Sequence, residues 1–503
     1  MRVVLLITGA LVLAACGSGH AGSMDNAVSA IEAPVPPHAG SRYLYELNDV
    51  ACASARGCVA TGVLNTRPFA AHGLLLAERQ GTWTVTEPPL PRNLGPGTKR
   101  RVAVGSVSCP AVGRCVAVGD ASSGAQDEPL VFTQRGSGWH EAVVPLPAGA
   151  KAGALGLVSC PSAGDCSAAG SYADAAGLTR AFLVTERGGT WGRPIAAAIP
   201  ANALTHPDPN FGLEAAEIDS LSCASPGNCA AVGIYTDTEG SPEGLLLTEN
   251  GGEWAQGVEA TLPENAEAAG RSYVFPVTGL RSVSCASVTD CAAVGGYLGH
   301  HANQFGMILT EHAGRWATGT ETPLPANAGP NPQVGNLPES PMGSIACPSP
   351  GNCSAVGSYR EKSGKGRGLL LAEHAGRWTP SEAVLPPDAG GNVDTGLYAL
   401  SCPSTGNCVV AGSYSTAAGA TRMLFVTERN GRWADGVGVP LPAGANQLSG
   451  GYVTSISCPS PSYCLAVGSY SDKTGAMQGM IVTIRPRQLR VPAPGAAPRS
   501  GGR

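Results

Sequence analysis

Leu280-Arg281-Ser282-Val283-Ser284-Cys285-Ala286-Ser287-Val288-Thr289-Asp290-Cys291-Ala292-Ala293-Val294-Gly295-Gly296-Tyr297 reads as two short strands joined by a turn. Its cysteines lie six residues apart, and seven other pairs share that spacing. They are Cys52 with Cys58, Cys109 with Cys115, Cys160 with Cys166, Cys223 with Cys229, Cys347 with Cys353, Cys402 with Cys408, and Cys458 with Cys464. The pairs use sixteen of the seventeen cysteines and leave Cys16 over. Successive first cysteines stand 51 to 63 residues apart, which is the period of a repeat architecture. Downstream of the quoted stretch come Phe305 to Glu311, a His312-Ala313-Gly314 turn, Arg315-Trp316 and Pro323-Leu324-Pro325. Each unit therefore predicts four strands: A (Ser-Cys), B (Cys-x-Ala-Val-Gly), C (Leu-Leu-Leu-Thr-Glu) and D (Trp). No stretch sustains a 3.6-residue period, so the fold class is all-β.

The composition agrees. The 503 residues include 69 glycines and 41 prolines, and only 14% are charged. That suits many strands joined by turns, and a hydrophobic fraction of 43% is ample for a core. A net charge of −5 argues against nucleic acid as a partner, since phosphate affinity comes from clustered Lys and Arg.

In each unit the two cysteines flank a five-residue A–B turn, which places them opposite each other on a hairpin. Local pairing is the simplest scheme, although spacing alone leaves other connectivities open. A row of metal sites would need C-x2-C pairs with histidine nearby, so neither metal nor cofactor is expected. All seven tryptophans, Trp83, Trp139, Trp191, Trp254, Trp316, Trp378 and Trp433, follow the C–D turn once per unit and are expected to pack between sheets. Tyr172, Tyr235, Tyr297, Tyr359, Tyr414 and Tyr470 recur at the end of strand B, again a packing position.

At the N-terminus, Met1-Arg2 is a positive n-region, residues 3–12 are apolar, and Leu13-Ala14-Ala15-Cys16-Gly17 resembles the bacterial lipobox. The resemblance implies a signal peptide over 1–15 and lipid on Cys16, followed by a flexible tether over 16–30. An ordinary secretory signal cut near Ala15 is the competing reading. Either one exports the chain to a compartment where disulfides persist. Localisation is then extracytoplasmic, with lipid as the membrane anchor.

The eighth unit stops after Met480-Ile481-Val482-Thr483, without a D strand. Residues 31–40, Ile-Glu-Ala-Pro-Val-Pro-Pro-His-Ala-Gly, match the D-strand ends of other units, such as residues 384–390. They are expected to supply the outer strand of the last blade and close a ring. The resulting expectation is one eight-bladed β-propeller of four-stranded blades over 31–484, with a disordered Arg/Pro-rich tail over 485–503. The C–D segment Thr248-Glu249-Asn250-Gly251-Gly252-Glu253-Trp254 resembles the Asp-box turn of sialidase-like (BNR) propellers, as does the segment from Thr185 to Trp191. That resemblance implies a propeller fold. It does not extend to sialidase catalytic residues, none of which can be assigned by motif.

The longer repeats owe their length to the D–A connections of units three to six, and long loops on a rigid scaffold commonly bind ligands. They carry His206, Asp208, Glu217, Arg271 and Tyr273, and a B–C loop adds His300 and His301. These residues form the candidate ligand face. No catalytic residue is assigned. The expected function is a non-catalytic binding or scaffold module for an envelope protein, glycan or polymer. The alternative is a glycan-active hydrolase or lyase with its site at the propeller channel mouth.

Overall fold

The computed structural model describes residues 27–37, 44–67, 70–91, 101–122, 127–206, 215–267, 278–299, 303–329, 341–390, 395–447 and 450–486. The expected signal peptide, Cys16, the first part of the tether and the tail beyond residue 486 lie outside them. No α-helix occurs among the described residues, and the chain is all-β.

Units one to seven each form an antiparallel A-B-C-D sheet in sequence order, and unit eight takes its outer strand from the start of the chain. In unit five the strands are Gly279–Ser287, Asp290–Gly299 and Asn303–His312, followed by Arg315–Trp316. Strand D departs from expectation in units three, four, five and seven, where it is broken into two pieces of two residues. The cause is a sideways step toward the preceding unit. Gly319 N donates to Thr261 O at 2.7 Å, and Gly436 N to Val384 O at 2.7 Å. Units one and two are further linked into one sheet by the parallel pair Ala71↔Arg101.

Units are joined in two ways. Eight apolar clusters each span a pair of neighbouring units, and one of them combines Leu465, Val467 and Ile481 with Tyr45, Leu47 and Leu74. The tryptophans sit in these seams as expected, for example Trp316 against Leu246 and Val232, with its indole Nε1 donating to Thr248 Oγ1 at 3.2 Å. In six units a serine just before the first cysteine supplies the second link. Ser108, Ser159, Ser222, Ser284, Ser401 and Ser457 each accept, at 2.9–3.1 Å, the amide of the next unit's first cysteine. For Ser457 that next cysteine is Cys52, more than 400 residues back in the chain.

The missing D strand of unit eight is Val28–Glu32, paired antiparallel with Met477–Ile484. It starts three residues before the expected boundary at 31, because Ala27 and Val28 are buried against the seam while residues 28–30 continue the ladder. Tyr470 confirms the equivalence of position. Its Oη donates to Glu32 Oε2 at 2.9 Å, as Tyr359 does to Glu382 at 2.9 Å and Tyr235 to Glu259 at 2.6 Å. The phenols are thus buried and tied to the outer strand, which pushes Tyr235 and its equivalents above the usual tyrosine range through burial and then the neighbouring carboxylate.

The local pairing expected of the hairpin cysteines is the one observed. Cys52 is bonded to Cys58, Cys109 to Cys115, Cys160 to Cys166 and Cys223 to Cys229. Likewise Cys285 is bonded to Cys291, Cys347 to Cys353, Cys402 to Cys408 and Cys458 to Cys464. Cα–Cα distances of 3.9–4.1 Å show why: the A–B turn brings each pair face to face across the ladder. The second cysteines Cys58, Cys115, Cys166, Cys229, Cys291, Cys353, Cys408 and Cys464 are all buried, so these bridges are packed into the sheets. They suit an oxidising, extracytoplasmic environment. Replacing both Cys285 and Cys291 by Ser should cost about 2 kcal/mol, the chain-entropy value for so short a loop. Thermal unfolding checks the figure, and peptide mapping without reduction should show no bridge between units.

Candidate functional site

The A strands of neighbouring units pack side by side, unit eight against unit one included, so the A edges of the sheets converge. Each A strand carries a β-bulge four residues before its first cysteine. A bulge re-aims one side chain out of the regular alternation. The eight bulged residues are Asn48, Gly105, Gly156, Asp219, Arg281, Gly343, Tyr398 and Thr454. The column holds glycine in units two, three and six and five different side chains in the other units.

Contacts along the column run from unit to unit. Asn48 Nδ2 donates to Val104 O at 2.9 Å, and Thr454 Oγ1 donates to Leu47 O at 2.8 Å. Arg281 Nη1 lies 3.3 Å from Asp219 Oδ2, an ion pair joining units four and five. Tyr398 lies beside Gly343 of the preceding unit, is 46% exposed, and its Oη is 2.9 Å from Ser413 Oγ. Two residues further out on the next A strand is Tyr452, 40% exposed, whose phenol is raised by partial burial and by the Glu46 carboxylate. The converging edge therefore presents two exposed aromatic rings in units seven and eight, an ion pair in units four and five, and glycine between them.

One residue deeper, Asp49 stands where most units have serine. Its carboxylate accepts from Ser455 Oγ of unit eight at 2.7 Å, from Ser106 Oγ of unit two at 3.0 Å, and from the amides of Val107 and Val50 at 2.9 and 2.8 Å. These bonds satisfy the carboxylate fully, so Asp49 is a clasp across three units rather than a free acid.

Of the sequence-predicted ligand residues, the structure describes two. His206 lies beyond the D strand of unit three with Nδ1 2.9 Å from Thr205 Oγ1. Glu217 lies exposed on strand A of unit four, two residues before Asp219. Asp208, Arg271, Tyr273, His300 and His301 lie outside the described residues. Sequence reasoning passed over the bulge column, although aligning the eight units on their first cysteine shows Asn, Asp, Arg, Tyr or Thr there in five units and glycine in three.

No family model matches the chain, and no curated protein matches it in sequence. Among solved structures, the WD40 domain of SCAP from fission yeast is 8% identical, with 93% of this chain and 100% of that one covered and a TM-score of 0.41. Penicillium chrysogenum α-L-arabinanase complexed with arabinobiose is 11% identical over 92% of this chain and 99% of its own, with a TM-score of 0.36. Trypanosoma rangeli sialidase in complex with sialic acid is 10% identical over 70% and 55%, with a TM-score of 0.34. TM-scores this low carry no inference about activity.

Proposed function

We propose that the chain is one eight-bladed β-propeller, closed by its N-terminal strand, that is exported, lipidated on Cys16 and held at the bacterial membrane as a non-catalytic binding module. The seam clusters and the Ser457–Cys52 bond between the last and first units support the closed ring. On this reading the converging A edges surround an axis, and the ligand sits on the axial face. The observation that carries the reading is the bulge column, where the five units without glycine present five different side chains, Asn48, Asp219, Arg281, Tyr398 and Thr454, from the same backbone feature. A packing role would favour one residue type in every unit; recognition requires different ones.

An envelope glycan suits the chemistry of this face. Exposed phenol rings offer apolar faces to sugar C–H groups, while a surface ion pair offers donors and acceptors to hydroxyls. Tyr398→Ala and Arg281→Ala are each expected to weaken co-sedimentation with isolated cell-wall polysaccharide by about tenfold, the scale of one lost buried contact. Unchanged binding in both variants would reject the axial site. Release of soluble sugars by the unmodified protein would instead support a glycan-active enzyme.

A further inference from the structure

Six of the seven complete units bury a carboxyl at the same place, the last residue of the Leu-Leu-Leu-Thr-Glu run. They are Glu78, Glu186, Glu249, Glu311, Glu373 and Glu428, none more than 6% exposed. Unit two has the equally buried Gln134 there, so the site accepts a neutral amide of the same shape. Where their bonds cross between units, these carboxyls face the seam with the preceding unit. Glu249 accepts from Ser167 Oγ and Thr185 Oγ1 of unit three at 3.0 and 3.1 Å, Glu428 from Ser354 Oγ of unit six at 3.4 Å, and Glu78 from Tyr463 Oη of unit eight at 3.4 Å.

Compensation for a negative charge there is thin. Arg56 acts on Glu78, Arg135 and the opposing Asp165 on Glu186, and Arg187 lies 3.9 Å from Glu249. A backbone hydrogen bond from Gly314, His312 and the opposing Asp290 act on Glu311, and a backbone hydrogen bond from Cys353, His312 and His374 on Glu373; Glu428 has only its serine. Glu186 Oε2 and Glu311 Oε1 have no hydrogen-bond partner among the described residues. A protonated carboxyl tolerates such a place far better than a carboxylate.

We propose that the six seam glutamates make this fold pH-responsive, with seams closed while the carboxyls are neutral and loosened as they ionise. Burial raises all six above the ordinary carboxyl range, Glu428 to about 7. The folded chain therefore keeps protons that the unfolded chain releases near 4.5. The glutamates' contribution to stability is complete below that value and is lost as pH rises from there through about 7. The turn carboxylates Asp165, Asp174, Asp290 and Asp472 act oppositely. Hydrogen bonds hold them below their ordinary value of 3.8, so their contribution is lost in stronger acid. Stability should then peak at about pH 4 to 5.

The test is thermal unfolding of the intact, oxidised chain between about pH 4.5 and 8, where melting temperature should fall as pH rises. Glu428→Gln should shift the folding equilibrium toward the folded state by on the order of a hundredfold at the alkaline end and leave the acid end unchanged, since each pH unit of displaced titration is a factor of ten and the displacement runs from 4.5 to about 7. Gln134→Glu, which adds a seventh carboxyl, should steepen the decline. A flat or rising profile in the unmodified protein would overturn the proposal. So would Glu428→Gln lowering the melting temperature equally at both ends, or Gln134→Glu leaving the slope unchanged. None of these readouts depends on the axial ligand.

Discussion

Removing residues 27–37 should lower the melting temperature of the whole chain and lead to self-association. The strand Val28–Glu32 makes five ladder pairs with residues 480–484, and its flanks add Ala33 N to Gly479 O at 2.9 Å and Arg485 N to Ala27 O at 2.7 Å. Ala27, Val28 and Ala33 are buried, and Glu32 holds the phenol of Tyr470. Burying a valine and two alanines contributes about 3 kcal/mol, and each hydrogen bond about 1. Ordering the strand costs about 1 to 2 kcal/mol per residue, so only part of the gross gain survives. The edge of Met477–Ile484 would then stand open as a template for another chain. In an open array of units the terminal strand would be dispensable; in a closed ring its loss unlocks the seam between units eight and one. Thermal unfolding and light scattering would measure both effects. A synthetic peptide of residues 27–37 should restore the melting temperature by adding itself to the vacant edge. A truncated chain that melts like the intact one would refute closure.

Much of this scaffold was legible in the residues because it repeats. The cysteine spacing located eight hairpins, the tryptophans marked the seams, and the absence of a strand after Thr483 pointed back to Ile31. What stayed hidden depends on neighbours in space. The break in strand D exists because Gly319 and Gly436 reach the preceding unit's carbonyls, a contact no local pattern contains. The buried glutamates end strands and precede turns, where a carboxylate ordinarily faces water; only the packing of adjacent sheets buries them. The bulge was masked because an extra residue in strand A leaves the Ser-Cys signature intact while shifting everything upstream by one place. Hence candidate ligand residues were sought in long loops, and the bulge residues Asp219, Arg281 and Tyr398 were passed over.

The same bulge explains the one glycine found at a fixed place in strand B of every unit, four residues after the second cysteine: Gly62, Gly119, Gly170, Gly233, Gly295, Gly357, Gly412 and Gly468. Each lies opposite the bulge, where the extra residue pushes a backbone carbonyl across the ladder. A Cβ on Gly233 would collide with Glu217 O, and one on Gly468 with Tyr452 O, well inside van der Waals contact. Both obstacles are backbone, so no rotamer change relieves them. Gly233→Ala should therefore force the A and B strands of unit four apart and cost about 3 kcal/mol or more, in the range of overpacked cores. A control separates this steric cause from the conformational effect of replacing any glycine. Gly177 lies in unit three's B–C turn, where an added Cβ meets nothing; its φ of 86° makes any cost one of backbone strain alone. Gly177→Ala should thus cost about 1 kcal/mol, well below Gly233→Ala. If Gly233→Ala also breaks the Asp219–Arg281 pair, it should weaken polysaccharide binding at temperatures where the fold persists. Equal melting temperatures for the two variants would show that strand A can shift to make room, and that the bulge is not held rigidly by its neighbours.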